Sequence, residues 1–250
     1  MPAGSGRSRP GFGNRQEGRL DIADIDWAAA GTALDGQGFA SLGILLDAQA
    51  RAALTGAFGE DAPYRSHVHM ARHGFGRGEY KYFRYPLPGL IAGLRTALYP
   101  GCAAIANRWA ERMRLDVRYP AAHADFLATC HEAGQTRPTP LILSYREGDY
   151  NCLHQDLYGG IVFPLQIVIL LSDPVVDFDG GEFVLTEQRP RMQSRAHVVP
   201  LRAGEAVVFA VNERPVSGTR GDYRVKMRHG VSPLRRGTRF ATGIIFHDAA

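Results

Sequence analysis

The sequence predicts an α+β fold: a jelly-roll barrel of antiparallel strands (a double-stranded β-helix) backed by N-terminal supporting helices. Three observations predict it. Before Thr139, apolar residues recur at helical spacing between capping and breaking residues. After it, eight short apolar or alternating runs are separated by Gly, Pro and Asp. The chain has 250 residues, 45% of them hydrophobic, enough for one substantial core.

Residues 1–20 are rich in Gly, Ser and Arg and read as a flexible N-terminal arm. Residues 21–250 read as a single domain, with helical support over 21–138 and the jelly-roll core over 139–250. Asp24 or Asp26 caps a first helix through Trp27, Ala30 and Leu34, ended by Gly36 and Gly38. Phe39 to Leu45 reads as a strand, and Asp47 caps a second helix through Ala50, Leu54 and Ala57. Residues 88–115 read as two helices broken at Pro100-Gly101. Pro120 opens a further helix through Phe126 and Cys130, ended near Gly134. The eight expected strands are Leu141–Tyr145, Tyr150–His154, Val162–Leu171, Glu182–Leu185, His197–Leu201, Ala206–Val211, Arg224–His229 and Arg239–Phe246.

Composition excludes several classes. No apolar run approaches the ~18 residues of a membrane helix, so no membrane association is expected. Cys102, Cys130 and Cys152 are odd in number and lack CxxC spacing. That excludes a disulfide scaffold or zinc ribbon, and a reducing, cytoplasmic setting is expected. No P-loop lysine, strand-to-helix GxGxxG or GxSxG elbow is present. Charge is uneven. Thr186 to Arg239 holds 12 basic and 4 acidic residues, a local excess of +8 in a chain of net +4. Such a stretch favours polyanions, or it is a solvated surface of scattered arginines.

The chemistry concentrates in Leu153-His154-Gln155-Asp156. On a strand, residues i and i+2 face one side, so His154 and Asp156 would project together into a barrel. His229, 73 residues later at the end of another expected strand, supplies a second imidazole. Two histidines and one carboxylate on one face of an ion form the facial triad of non-haem Fe(II) oxygenases. A turn from Pro233 to Gly237 would bring Arg239 onto the strand returning beside His229, where a guanidinium clamps a carboxylate in two parallel hydrogen bonds. Arg228, Arg235 and Arg236 are alternatives, though register favours Arg239. Gly148 would turn Tyr145 toward the same carboxylate, with Tyr150 or Asn151 as alternatives.

Tyr145-x-x-Gly148, His154-x-Asp156, Gly180-Gly181-Glu182, Gly204-Glu205 and His229-x-Val231-x-Pro233-x-x-x-Gly237-x-Arg239 together resemble the Fe(II)/2-oxoglutarate-dependent dioxygenases from about Pro140 onward. The His-Gln-Asp leader is similar to the AlkB-type nucleic-acid dealkylases; the later elements look more like the prolyl-hydroxylase branch. The whole chain resembles a bacterial oxygenase family associated with oxidative demethylation of damaged DNA. The resemblance implies Fe(II) on His154, Asp156 and His229, with 2-oxoglutarate and O2 as co-substrates. It also implies that Arg239 and Tyr145 hold the distal carboxylate. Asp156, an aspartate rather than Ala or Gly, implies hydroxylation. The expected substrate is alkylated nucleic acid, with release of succinate, CO2 and formaldehyde. The alternatives are a hydroxylase of a small molecule or protein side chain and a catalytically silent jelly-roll binding protein.

One other segment stands out. Residues 64–85 carry His67, His69 and His73, six aromatics and five Lys/Arg against one acid. His67 and His69 are ligand-like, but no acid and later histidine follow at cupin register. The segment reads either as a substrate lid, with His73, Tyr80, Tyr82 and Arg84 contacting a base and its phosphates, or as a strand pair packed on the barrel.

Overall fold

A computed structural model describes residues 21–219 and 221–250; the arm expected over 1–20 lies outside the described residues. Helix α1 (Trp27–Gln37) begins at Asp26, whose carboxylate accepts from the Ala29 N–H at 2.9 Å, and ends at Gly38 in the left-handed region. Strand β1 (Phe39–Ile44) follows, then α2 (Ala48–Ala57), capped by Asp47. Segment 64–85 folds as strands β2 (Tyr64–His69), β3 (Gly76–Arg77) and β4 (Glu79–Phe83), the strand-pair reading of that region. Two helices come next, α3 (Gly89–Arg112) and α4 (His123–Glu132).

Ten strands complete the chain: β5 (Leu141–Arg146), β6 (Tyr150–His154), β7 (Leu165–Leu170), β8 (Phe178–Gly180), β9 (Phe183–Gln188), β10 (Arg195–Val199), β11 (Glu205–Ala210), β12 (Glu213–Gly218), β13 (Gly221–Val231) and β14 (Leu234–Ile244). Each of the eight expected strands is present, β6 with the expected ends and the other seven shifted; β8 and β12 are additional. They form two antiparallel sheets. The larger runs β1-β11-β7-β14-β5-β4-β2, with β8 on β14; the smaller runs β10-β9-β13-β6-β3, with β12 on β13. Two facing sheets with crossing connections make a jelly roll.

Residues 88–115 depart from expectation: α3 is one continuous helix with Pro100 inside it. The proline removes one donor without ending the helix, because packing holds both halves. Tyr99 stacks on Phe126 of α4 at 5.6 Å and meets Phe163 and Phe246 at 5.2 and 5.6 Å. Gly101 serves that packing, since a Cβ there would fall 2.1 Å from the Trp27 ring. By length and composition α3 is also apolar enough to cross a membrane, with half of that stretch buried here. Arg95 and Arg108 interrupt the apolar run in sequence. Buried Arg95 ties α3 to the barrel: it donates to the Ile245 and Phe246 carbonyls at 2.8 and 3.0 Å and pairs with Asp248 at 2.7 Å.

Candidate metal centre

Strand β6 stops at His154, so Asp156 sits in the loop beyond it and not on the strand. The carboxylate nevertheless turns inward and is buried. Opposite it, β13 places His229 in direct register with His154, with ring centroids 4.2 Å apart. His154 Nε2 lies 3.4 Å from Asp156 Oδ1, and His229 Nε2 lies 3.3 Å from Oδ2. The three ligand atoms fall within 4.8 Å of one another. His154 Nδ1 is 2.8 Å from the Cys152 carbonyl, to which it donates, so Nε2 keeps its lone pair for the centre. Tyr158 donates to Asp156 Oδ1 at 2.5 Å. Two neutral imidazoles and one carboxylate on one side, open on the other, are the donor set that a ferrous ion takes.

Burial penalises charge on each ligand, and their neighbours decide the outcome. Asp156 is desolvated, yet the hydrogen bonds and charges of His154 and His229 hold it well below the usual carboxylate range. His154 is desolvated too, but the adjacent carboxylate raises it. His229, fully enclosed and beside His154, is lowered. Tyr158 is pushed far up by burial and by Asp156, so its phenol keeps the proton that it donates.

Arg239 stands opposite Tyr145 in the β14–β5 register. This differs from the expected return beside His229: after β13 the chain crosses to the other sheet, so Arg239 faces the triad across the barrel. Its guanidinium carbon sits 5.7 Å from the Tyr145 ring centroid. Both side chains are buried. Among the described residues no carboxylate pairs with Arg239, its Nε has no partner, and burial lowers its pKa. An enclosed cation without a counter-ion is costly, so the position suits an anionic ligand. Gly181 makes room for it, since a Cβ there would meet Arg239 Cδ at 3.0 Å and Leu234 Cδ1 at 2.1 Å. Arg235 is instead exposed and bound to Asp179 and Glu182, and Arg228 and Arg236 are exposed. Asn151 Nδ2 donates to the Tyr145 hydroxyl at 3.3 Å.

A cavity of about 370 Å³ joins the triad to Arg239 and Tyr145. Tyr80 and Tyr82, alternate residues of β4, line its wall with Tyr158 and Phe209. Arg84 is not among the lining residues: β4 ends at Phe83, so the alternation does not carry to it. His73 also lies outside the lining, exposed and stacked on Phe75 at 5.3 Å. The sequence reading missed Tyr158 and Gln166. Tyr158 was detectable two residues after Asp156. Gln166, buried on β7 with an amide Oε1 lacking a partner, gave no sequence signal.

A profile of the Oxygenase-NA family, described as "Oxygenase, catalysing oxidative methylation of damaged DNA", matches residues 78–249. Two proteins of Mycobacterium tuberculosis named "uncharacterized protein", from strains CDC 1551 / Oshkosh and H37Rv, are each 51% identical over 168 residues, spanning 67% of this chain and 72% of theirs. Among solved structures, the non-heme alpha ketoglutarate dependent epimerase SnoN from nogalamycin biosynthesis is 15% identical with a TM-score of 0.51, over 87% of this chain and 80% of that one. A carbocyclase of the same biosynthesis, SnoK, is 15% identical with a TM-score of 0.50, over 91% and 86%. A prolyl 4-hydroxylase from Phytophthora capsici is 15% identical with a TM-score of 0.50, over 96% and 69%. At such identities the likeness to solved structures is one of fold.

Proposed function

The chain belongs to the Oxygenase-NA family, and from that premise we propose that it is an Fe(II)/2-oxoglutarate-dependent dioxygenase that demethylates alkylated nucleic acid. His154, Asp156 and His229 hold the iron in this reading, and Arg239 with Tyr145 takes the distal carboxylate of 2-oxoglutarate. Bound together with O2, these groups supply the oxidant for C–H hydroxylation and leave succinate and CO2. Hydroxylation of an N-methyl carbon gives a hemiaminal that collapses to the free base and formaldehyde.

The chain's own residues orient and enclose. The observation that carries the reading is a single cavity running from the triad to an aromatic wall, with Gln166, whose Oε1 lacks a partner, in its lining. Tyr80, Tyr82 and Tyr158 offer faces to an extruded base, and an amide is the group that reads a base edge. Exposed Phe75 and Leu153 form an apolar lip of the cavity where a strand can rest. Arg72 and Arg77, exposed on either side of Phe75, would meet phosphates in this reading, Arg77 from β3 and 3.9 Å from Asp149.

One observation favours a second reading, hydroxylation of a small molecule or a protein side chain. Five of the 12 basic side chains of the stretch from Thr186 to Arg239 are engaged within the chain: Arg189 and Arg214 pair with Glu187, Arg202 with Glu205, Arg224 with Glu213, and Arg235 with Asp179 and Glu182. Product analysis separates the two. Wild-type protein is expected to release formaldehyde and restore the base in methylated oligonucleotides, and His154→Ala to do neither. Succinate formation with no base restored across a panel of lesions would remove the nucleic-acid assignment.

A further inference from the structure

A second group of ligating side chains lies on the opposite face of the strand pair that walls the cavity. His67 and His69, two residues apart, share one face of β2. Glu79 of β4 stands directly across from His69. Tyr80 and Tyr82 alternate with Glu79 and Lys81, so the cluster faces outward where the tyrosines face in. His67 Nε2 lies 2.8 Å from Glu79 Oε2, and His69 Nδ1 lies 3.6 Å from Oε1. The two imidazole centroids are 4.5 Å apart, and the three ligand atoms fall within 4.8 Å of one another.

We propose that His67, His69 and Glu79 form a second metal site, for a divalent transition ion such as Zn(II), Co(II), Ni(II) or Cu(II). An ion bonded at about 2.1 Å in tetrahedral geometry holds its ligands ~3.4 Å apart, within the range that these atoms already span. Two imidazoles and one carboxylate suit ions of intermediate softness; Mg(II) and Ca(II) prefer oxygen alone. The side chains are roughly one-third exposed (36%, 39% and 34%), which leaves a solvent side for water to complete the shell. Two ligands ride on one strand and the third on its hydrogen-bonded neighbour, so little ordering remains when the ion arrives. Glu79 follows His67 and His69 off the cupin register, and strand pairing brings it to them. An ion here fastens β2, the end strand of the larger sheet, to β4.

Co(II) titration of metal-free protein tests this, read by visible d–d absorption and by metal bound per chain after gel filtration. Wild type should bind two Co(II) ions per chain. His154→Ala/His229→Ala should keep one, His67→Ala/His69→Ala should keep one, and the fourfold variant none. Glu79→Gln, which removes charge and little volume, should weaken the outer site at least ~10-fold. In the His154→Ala/His229→Ala background, Zn(II) should raise the melting temperature, and adding His67→Ala/His69→Ala should cancel that rise. The proposal falls if His154→Ala/His229→Ala binds no Co(II), or if His67→Ala/His69→Ala binds as much as wild type.

Discussion

Arg239 separates ligand binding from fold stability more cleanly than any other side chain in the cavity. It is buried without a carboxylate partner, so the ligand-free chain bears a desolvated charge. Arg239→Met is therefore expected to leave the ligand-free protein at least as stable by urea denaturation. The same change should raise KM for 2-oxoglutarate by roughly 30- to 1000-fold, the equivalent of about 2–4 kcal/mol for losing one partner of an enclosed charge pair. Tyr158→Phe removes the donor to Asp156 Oδ1 and keeps the ring. Fe(II) affinity, measured by competition with a chelator, should fall by about 10- to 100-fold, with the fold unchanged by circular dichroism. The side chains of the triad and Arg239, which line one cavity, were legible from residue type and motif order, not from strand alternation, since Asp156 lies past the end of β6. Tyr158 and Gln166 were not, since a tyrosine or glutamine acquires a role only from what surrounds it. Arg84, expected to contact phosphates from a lid, lies one residue past the end of β4 and outside the cavity lining.

The elements read most reliably were those whose ends carry their own chemistry. Asp26, Asp47 and Gly38 mark boundaries by local hydrogen bonding and backbone geometry, so they survive whatever packs around them. Strand β12 was hidden by Pro215, which argues against a strand. It is tolerated because β12 pairs on one side only, with β13. The break expected at Pro100-Gly101 failed for a tertiary reason: Gly101 is small to admit Trp27. Helix propensity alone favours Gly101→Ala by up to ~1 kcal/mol. The clash predicts the opposite sign, a net loss of about 1–3 kcal/mol as the ring is displaced. Urea denaturation with Trp fluorescence reads both the stability and the Trp27 environment, and a stabilised variant would refute this packing account.

Across the whole molecule, the helices and the barrel meet at a buried polar seam that should set the acid limit of the fold. His123 Nε2 lies 2.9 Å from the Phe246 carbonyl. Burial and the Arg95 charge push its pKa down to about 4, and those of His247 likewise. Both histidines are neutral when folded and bind protons more readily when unfolded. Their contribution is therefore complete above the ordinary value near 6.5 and is lost as pH falls toward 4. Each shift is worth up to about 3 kcal/mol. Asp248, desolvated but held low chiefly by Arg95, loses its contribution only below the ordinary carboxylate range. Denaturation midpoints should thus drop between pH 7 and pH 5, and His123→Gln should flatten that slope. The cation in the cavity gives folding a second dependence, on metabolite supply. A keto-dicarboxylate that neutralises it adds about 2.7 kcal/mol at a hundredfold excess over Kd. Pulse proteolysis against graded 2-oxoglutarate should then show the chain surviving longer as the metabolite rises, so that resistance to cleavage tracks the ligand's concentration.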